Sequence, residues 1–383
     1  MTFNGNRLRI GRVFQGWTQR ELGERVAVSH SAIAFFEKGL KSPKREVQDA
    51  LSVVLEVEHD FFFLPDIEEE FREEEANFRR RIAATDRQRK QILAHGSLFG
   101  TLARYLQREV TIPTFHVPEI IPASVADVDR VADETRLYFG LPLDVPIGSV
   151  SRILDRAGVL VLTVDLETAN RIDAFSRYGS TAEATSIVVI NTEKESPSRT
   201  LMDQAHELGH GVMHRSRRGL PLDQREDEAN RFAGAFLMPR AAFTRDMMGV
   251  KPKEWAYLFE MKRHWGASIK AILYRAYELG LMDAADYRTR MGYYSFRKWN
   301  DGEPEEPARD QPGLFSAMLA KYCEDYGKSI ADISKDLGWT VDLFGKVTGV
   351  WMNEMAPSGV LSLADYRERT AASAAENTMP NVT

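Results

Sequence analysis

Three of the eight histidines in this 383-residue chain fall within nine residues, in His206-Glu207-Leu208-Gly209-His210-Gly211-Val212-Met213-His214. On a helix, residues four apart share a face, so His206 and His210 aim two imidazoles at one point while Glu207 sits beside them, within reach of a water on a metal. This HExxH arrangement suits zinc-dependent hydrolysis, with the two histidines as ligands and Glu207 as proton carrier. An open zinc site needs a third protein ligand and a fourth position left for water. The lone cysteine, Cys323, excludes an internal disulfide and any site built on several thiolates, so the third ligand is a histidine or a carboxylate. His214 shares the face of His206 and His210, but a fourth protein ligand would close the site. It is expected at the helix end or hydrogen-bonded behind a ligand.

The elements around the motif narrow the choice. The next helix opens with Glu226-Asp227-Glu228. With Glu226 set at zero and about 100° per residue, the apolar stripe of Ala229, Phe232, Ala233, Phe236 and Leu237 centres near ~300°. Glu226 then lies within about 60° of that centre, Glu228 about 100° away and Asp227 nearly opposite, so Glu226 is the carboxylate best placed to look inward. Asn230, one turn on, can hydrogen-bond to a ligand from behind. Gly209 and Gly211 each cost a helix interior about 1 kcal/mol against Ala, which implies that something packs closely there. Upstream, 158–164, 172–176 and 185–191 are strand-like by β-branched content and turn boundaries. They are expected to form a small antiparallel sheet, with 186–191 offering an edge on which an extended substrate could align. Helices are expected over 125–157, 198–215, 224–237, 254–263 and 267–280.

At 43.4 kDa, with 43% hydrophobic and 28% charged residues and a mean hydropathy of −0.35, the chain is globular in composition and too long for one ordinary core. The N-terminus lacks the apolar run of a secretory signal and no apolar stretch approaches a membrane span, so a cytoplasmic protein without membrane contact is expected. Residues 1–50 carry nine Lys/Arg against five Asp/Glu in a chain whose net charge is −6, so a small basic head leads an acidic body. Such a head suits nucleic acid. Four units are expected: a head of short helices over 1–65, a charged helical connector over 66–112, a chemistry-bearing domain over 113–300, and a helical region over 301–383 ending in a frayed tail from Ala371. In the connector, Glu68 stands four before Arg72 and Glu75 four before Arg79, the spacing of helix-surface ion pairs.

The head carries Thr18-Gln19-x-x-Leu22-Gly23-x-x-Val26, then Ser29-His30-Ser31-x-Ile33, then Glu37-Lys38-Gly39 and Pro43. Thr18 with Glu21 is a capping box, and Leu22 with Val26 share a face. This pattern closely resembles the helix-turn-helix of phage-repressor and xenobiotic-response-element (XRE-type) regulators. The resemblance implies that the helix from Ser29 enters the major groove of an operator, with His30 and Ser31 near base edges. It implies phosphate contacts from Gln19, Lys41 and Lys44. Phe35 departs from the pattern, which commonly has a polar side chain there; it can touch a thymine methyl or pack. One recognition helix reads few base pairs, so a homodimer on double-stranded DNA is expected.

Further on, Asp203-Gln-Ala-His206-Glu207-Leu-Gly-His210 followed by Glu226-x-x-Ala229-Asn230-x-Phe232-Ala233-x-x-Phe-Leu237-Met238-Pro239 closely resembles the ImmA/IrrE metallopeptidases. Their third zinc ligand matches Glu226. Asp173-Ala-Phe-Ser176 and the order of units resemble the subgroup fused to a repressor-like head, although Leu201-Met202 stands where that family often has Arg-Phe. The resemblance implies a mainly α fold with a small β-sheet (α+β): an all-α head, a zincin-like metallopeptidase domain and a helical C-terminal region. It also implies a regulator that cleaves a repressor or antitoxin-like protein in prophage, mobile-element or stress control. A zinc domain that senses a ligand or partner without cutting is the alternative, and a toxin–antitoxin component acting by contact alone is a third.

Overall fold

The computed structural model describes residues 2–67, 71, 77–80, 85–164, 172–179, 185–192, 196–217, 219–248 and 255–351. The tail from Ala371 and the side chains of the pairs Glu68–Arg72 and Glu75–Arg79 lie outside the described residues. The fold is mainly α with a small sheet.

The head consists of α1 (Gly5–Phe14), α2 (Gln19–Arg25), α3 (His30–Glu37) and α4 (Arg45–Leu55). Its turns follow from local chemistry. The Thr18 hydroxyl accepts the Glu21 N–H at 3.2 Å while the Glu21 carboxylate takes the Thr18 N–H at 2.6 Å, the reciprocal cap that starts α2. Ser29 caps α3 by accepting the Ala32 N–H at 3.2 Å. Buried Leu22, Ile33, Phe36, Leu51 and Leu55 hold the helices together.

Among the described residues of the segment expected as a helical connector, one stretch is a strand and one a helix. Asn77–Arg80 forms a strand, β1, and α5 (Asp86–Gln107) follows, capped by Thr85. Surface ion pairs contribute only tenths of a kcal/mol to a helix. At Asn77–Arg80 the backbone groups are instead satisfied by antiparallel pairing with Ile172–Arg177. Next come α6 (Val128–Tyr138), α7 (Val150–Arg156), β2 (Val159–Val164), β3 (Ile172–Arg177) and β4 (Ser186–Asn191).

The sheet has the order β1-β3-β4-β2 and is mixed, not antiparallel. β3 pairs antiparallel with both β1 and β4, but β2 and β4 are parallel, in register from Val159 opposite Ser186 to Val164 opposite Asn191. Because β3 lies outside β4 and not between β4 and β2, the parallel pair becomes neighbours. Both faces are covered. Leu160, Leu162, Ile187 and Val189 point into one core, while Val159, Val161, Val188 and Ile190 point into another. A strand buried on both faces reads as a continuous apolar run, as 159–162 and 187–190 do.

On the second core lie α8 (Pro197–Met213), α9 (Leu222–Leu237), α10 (Arg240–Met247), α11 (Trp255–Trp265), α12 (Ile269–Glu278) and α13 (Ala284–Phe296). The first core joins the head to α5 and to α14 (Leu314–Tyr326), α15 (Ile330–Asp336) and α16 (Val341–Thr348). Between α13 and α14, three carboxylates of one acidic stretch each sit at a helix N-terminus, where the helix dipole favours negative charge. Glu303 accepts the Ile269 N–H of α12 at 2.8 Å, Glu306 the Ser198 N–H of α8 at 2.8 Å and Asp310 the Ser151 N–H of α7 at 2.9 Å. Lys262, fully buried, bridges Glu303 at 2.8 Å and Glu306 at 3.1 Å. The stretch that looked like a boundary therefore anchors the helix that carries the histidines.

Candidate metal centre

α8 starts with Pro197 in its first turn and under the Glu306 carboxylate, and it runs against α9 and the sheet. The two costly glycines are explained by what they face. A Cβ on Gly209 would lie 2.8 Å from the Phe232 ring of α9, and one on Gly211 would lie 2.5 Å from the Tyr178 ring. Tyr178 is itself fixed, since its hydroxyl donates to the Glu207 carbonyl at 2.7 Å. Burial, and then the nearby Glu207 charge, raises this phenol well above its ordinary pKa, so it remains a donor.

Across the α8–α9 contact, His206, His210 and Glu226 bring ligand atoms to within 4.8 Å of one another. The two Nε2 atoms are 3.1 Å apart. Glu226 approaches His210 Nε2 at 3.3 Å and His206 Nε2 at 3.6 Å. Hydrogen bonds behind the rings set the tautomers. His206 Nδ1 lies 3.1 Å from Asn230 Oδ1, an acceptor, so Nδ1 carries the proton and Nε2 a lone pair. His210 Nδ1 lies 2.9 Å from His214 Nδ1, and His214 Nε2 lies 3.0 Å from the Glu228 carboxylate. The carboxylate can only accept, so His214 donates to it from Nε2 and accepts at Nδ1 the proton of His210 Nδ1. His210 is thus also left with a bare Nε2. Two imidazole nitrogens and a carboxylate converge on one point, a donor set that suits a cation.

Glu207 is completely buried beside His206. Asn230 and Glu226 border a cleft of about 500 Å³, also lined by Asp173, Asp203, Lys270 and Tyr274. The expected alignment of an extended substrate on 186–191 does not hold, because β4 is flanked by β3 and β2 and has no open edge.

Of the residues behind His210, the sequence singled out His214 but not Glu228, Arg217 or Gln224. Helical phase ranked Glu228 as less inward than Glu226, yet Glu228 is 1% exposed and the Glu226 side chain 16%. The apolar stripe marks only the side facing the main core, whereas Glu228 is enclosed by the end of α8 and the turn beyond it. Arg217 donates to it at 2.8 Å and Gln224, one turn earlier on α9, at 2.8 Å. Burial alone would raise the Glu228 pKa, but hydrogen bonds from Arg217, Gln224 and His214 outweigh it and lower the pKa, keeping the carboxylate ionised. Desolvation outweighs the Glu228 hydrogen bond and lowers the His214 pKa, so this ring is neutral. The i, i+4 spacing of Gln224 and Glu228 was the only signal available in the sequence.

On the head, His30, Ser31, Lys41 and Lys44 are exposed, and Phe35 is 41% exposed with the Lys41 ammonium 5.3 Å from its ring centre. Gln19 is turned inward at its amide, which donates to Glu37 at 2.7 Å beside the Arg12–Glu37 ion pair. Among the described residues, no helix is long and apolar enough to cross a membrane.

Residues 8–62 match the family described as helix-turn-helix, and residues 154–277 match the peptidase M78 family, described as the IrrE N-terminal-like domain. No curated protein matches the chain.

Proposed function

We propose that this chain, a helix-turn-helix DNA-binding domain joined to a metallopeptidase-type domain, is a transcriptional regulator with a zinc-dependent endopeptidase. Its substrate on this reading is a repressor or antitoxin-like protein in prophage, mobile-element or stress control. The observation that carries the reading is the convergence of Nε2 of His206, Nε2 of His210 and the Glu226 carboxylate at 3.1 to 3.6 Å. Two neutral imidazoles and one carboxylate are the donor set of an open zinc site, with His206, His210 and Glu226 as the ligands. A zinc ion there supplies Lewis acidity to a water and to the scissile carbonyl. Glu207 takes the proton of the attacking water and returns it to the leaving amine. Asn230 holds His206 in its donor tautomer, and His214 stands behind His210 and not among the ligands. The cleft beside Glu226 takes the substrate chain.

The head reads an operator as a homodimer, with His30 and Ser31 at base edges, Phe35 at a thymine methyl, and Lys41 and Lys44 at phosphates, while the Gln19 amide, expected at a phosphate, is held by Glu37. The units are then a head over 1–65, a connector over 66–112, a peptidase domain over 113–300 and a C-terminal region over 301–383.

Glu207→Gln tests the peptidase reading, because it preserves volume and hydrogen-bonding reach but cannot accept a proton. Zinc content and DNA binding should stay at wild-type levels while cleavage of repressors encoded beside the gene falls about 10²–10⁴-fold. Regulatory output that persists in Glu207→Gln but vanishes in His206→Ala would identify the zinc domain as a non-cleaving sensor.

A further inference from the structure

We propose that Glu228 and His214 form a relay behind His210 that locks it in the tautomer and orientation of a metal ligand, making both of them positioning residues for the metal centre. The proposal rests on the metal-site reading above and extends it to residues outside the HExxH motif.

The relay is a single hydrogen-bonded line, from Glu228 Oε2 to His214 Nε2 at 3.0 Å and from His214 Nδ1 to His210 Nδ1 at 2.9 Å. All three side chains are at most 2% exposed, so no bulk water competes for these bonds. An isolated imidazole can carry its proton on either nitrogen and can turn over about its ring axis. Here the acceptor-only carboxylate fixes the first proton, and each later proton follows from it. Turning over His210 would put a carbon where the His214 Nδ1 acceptor needs a donor, so the ring is held. The far end is rigid too, because Arg217 and Gln224 take the Glu228 oxygens at 2.8 Å each.

The same bonds exclude two other roles. Both His214 ring nitrogens are engaged, which leaves none for a metal. The Glu228 oxygens face His214, Arg217 and Gln224, away from the point where His206, His210 and Glu226 converge. The two histidines are therefore backed unequally: His206 by the amide of Asn230, and His210 through a second imidazole by a carboxylate.

The test is zinc affinity of the full-length protein, measured by competition with a chelating indicator, alongside thermal unfolding of the metal-free protein. His214→Leu removes the acceptor behind His210 and should weaken zinc binding roughly 10–100-fold. His214→Asn restores an acceptor near the Nδ1 position and should recover most of that loss. Glu228→Gln keeps an acceptor but removes the charge, so it should fall between wild type and His214→Leu. It is also the variant that decides the matter if His214→Leu does not fold. Wild-type affinity in both His214→Leu and Glu228→Gln overturns the relay, as does equal weakening by Leu and Asn that merely tracks metal-free stability. A loss in His214→Leu as large as that in Glu226→Ala makes His214 a ligand and also overturns it. Failure of the relay alone leaves zinc bound and lost on Glu226→Ala, whereas wild-type protein that binds no zinc overturns the metal-site reading together with the relay.

Discussion

Glu226 and Glu228 are two residues apart on α9 and face different partners. Glu226 turns toward Nε2 of His206 and of His210, and Glu228 turns toward Nε2 of His214. A ligand set reduced to two imidazoles is weak, so Glu226→Ala is expected to lose most bound zinc at micromolar metal, as measured by metal analysis after gel filtration. Full zinc retention in that variant would mean that the convergence seen here is not a ligand set. Helical phase picked out the residue that meets the histidines, but for a reason only partly right. It treats burial as one-sided, and the turn after α8 buries Glu228 from a direction that no stripe on α9 reveals.

At the scale of elements, α5 is tied to α16 through a buried histidine. His95 Nε2 donates to the Val347 carbonyl at 2.8 Å, and burial, opposed by that bond, pushes the His95 pKa down to about 4. The unfolded chain, with the ordinary value near 6.5, therefore takes up the proton first as pH falls. The stability contributed by neutral His95 is complete above about pH 6.5 and is lost toward pH 4. Between pH 7 and pH 5 the loss is about 2 kcal/mol. Urea unfolding at these two pH values should show a smaller pH-dependent loss in His95→Gln than in wild type. Equal losses in the two proteins would remove His95 as the source. Nothing in the local sequence marks this histidine, because its acceptor comes from 252 residues away.

Over the whole molecule, the sheet is a wall between two cores, and the DNA-binding head lies on one side of it with the chain's last described helices. Val57 bridges Trp339, the Glu58 N–H donates to the Gly338 carbonyl at 2.9 Å, and Lys346 pairs with Glu56 at 2.5 Å. The head is therefore best assayed in the full chain. Lys41→Ala or Lys44→Ala should weaken binding to every duplex and lower the slope of log affinity against log salt by about one, as measured by fluorescence anisotropy. His30→Ala should instead narrow the gap between operator and random DNA. A salt slope unchanged in both lysine variants would take those side chains off the phosphates.

Motifs contained within one element were legible in the sequence: the capping box at Thr18, the shared face of His206 and His210, and the strain of Gly209 and Gly211 in a helix. Each depends on spacing of a few residues, which backbone geometry converts directly into position. What lay between elements was not legible. The parallel pairing of β2 with β4, the capping of α7, α8 and α12 by Asp310, Glu306 and Glu303, and the enclosure of Glu228 join residues far apart in the chain. The same residue types would suit an antiparallel sheet, a solvated acidic loop and an exposed carboxylate equally well. Only the packing of distant elements, which satisfies their backbone groups and carboxylates at once, decided among them.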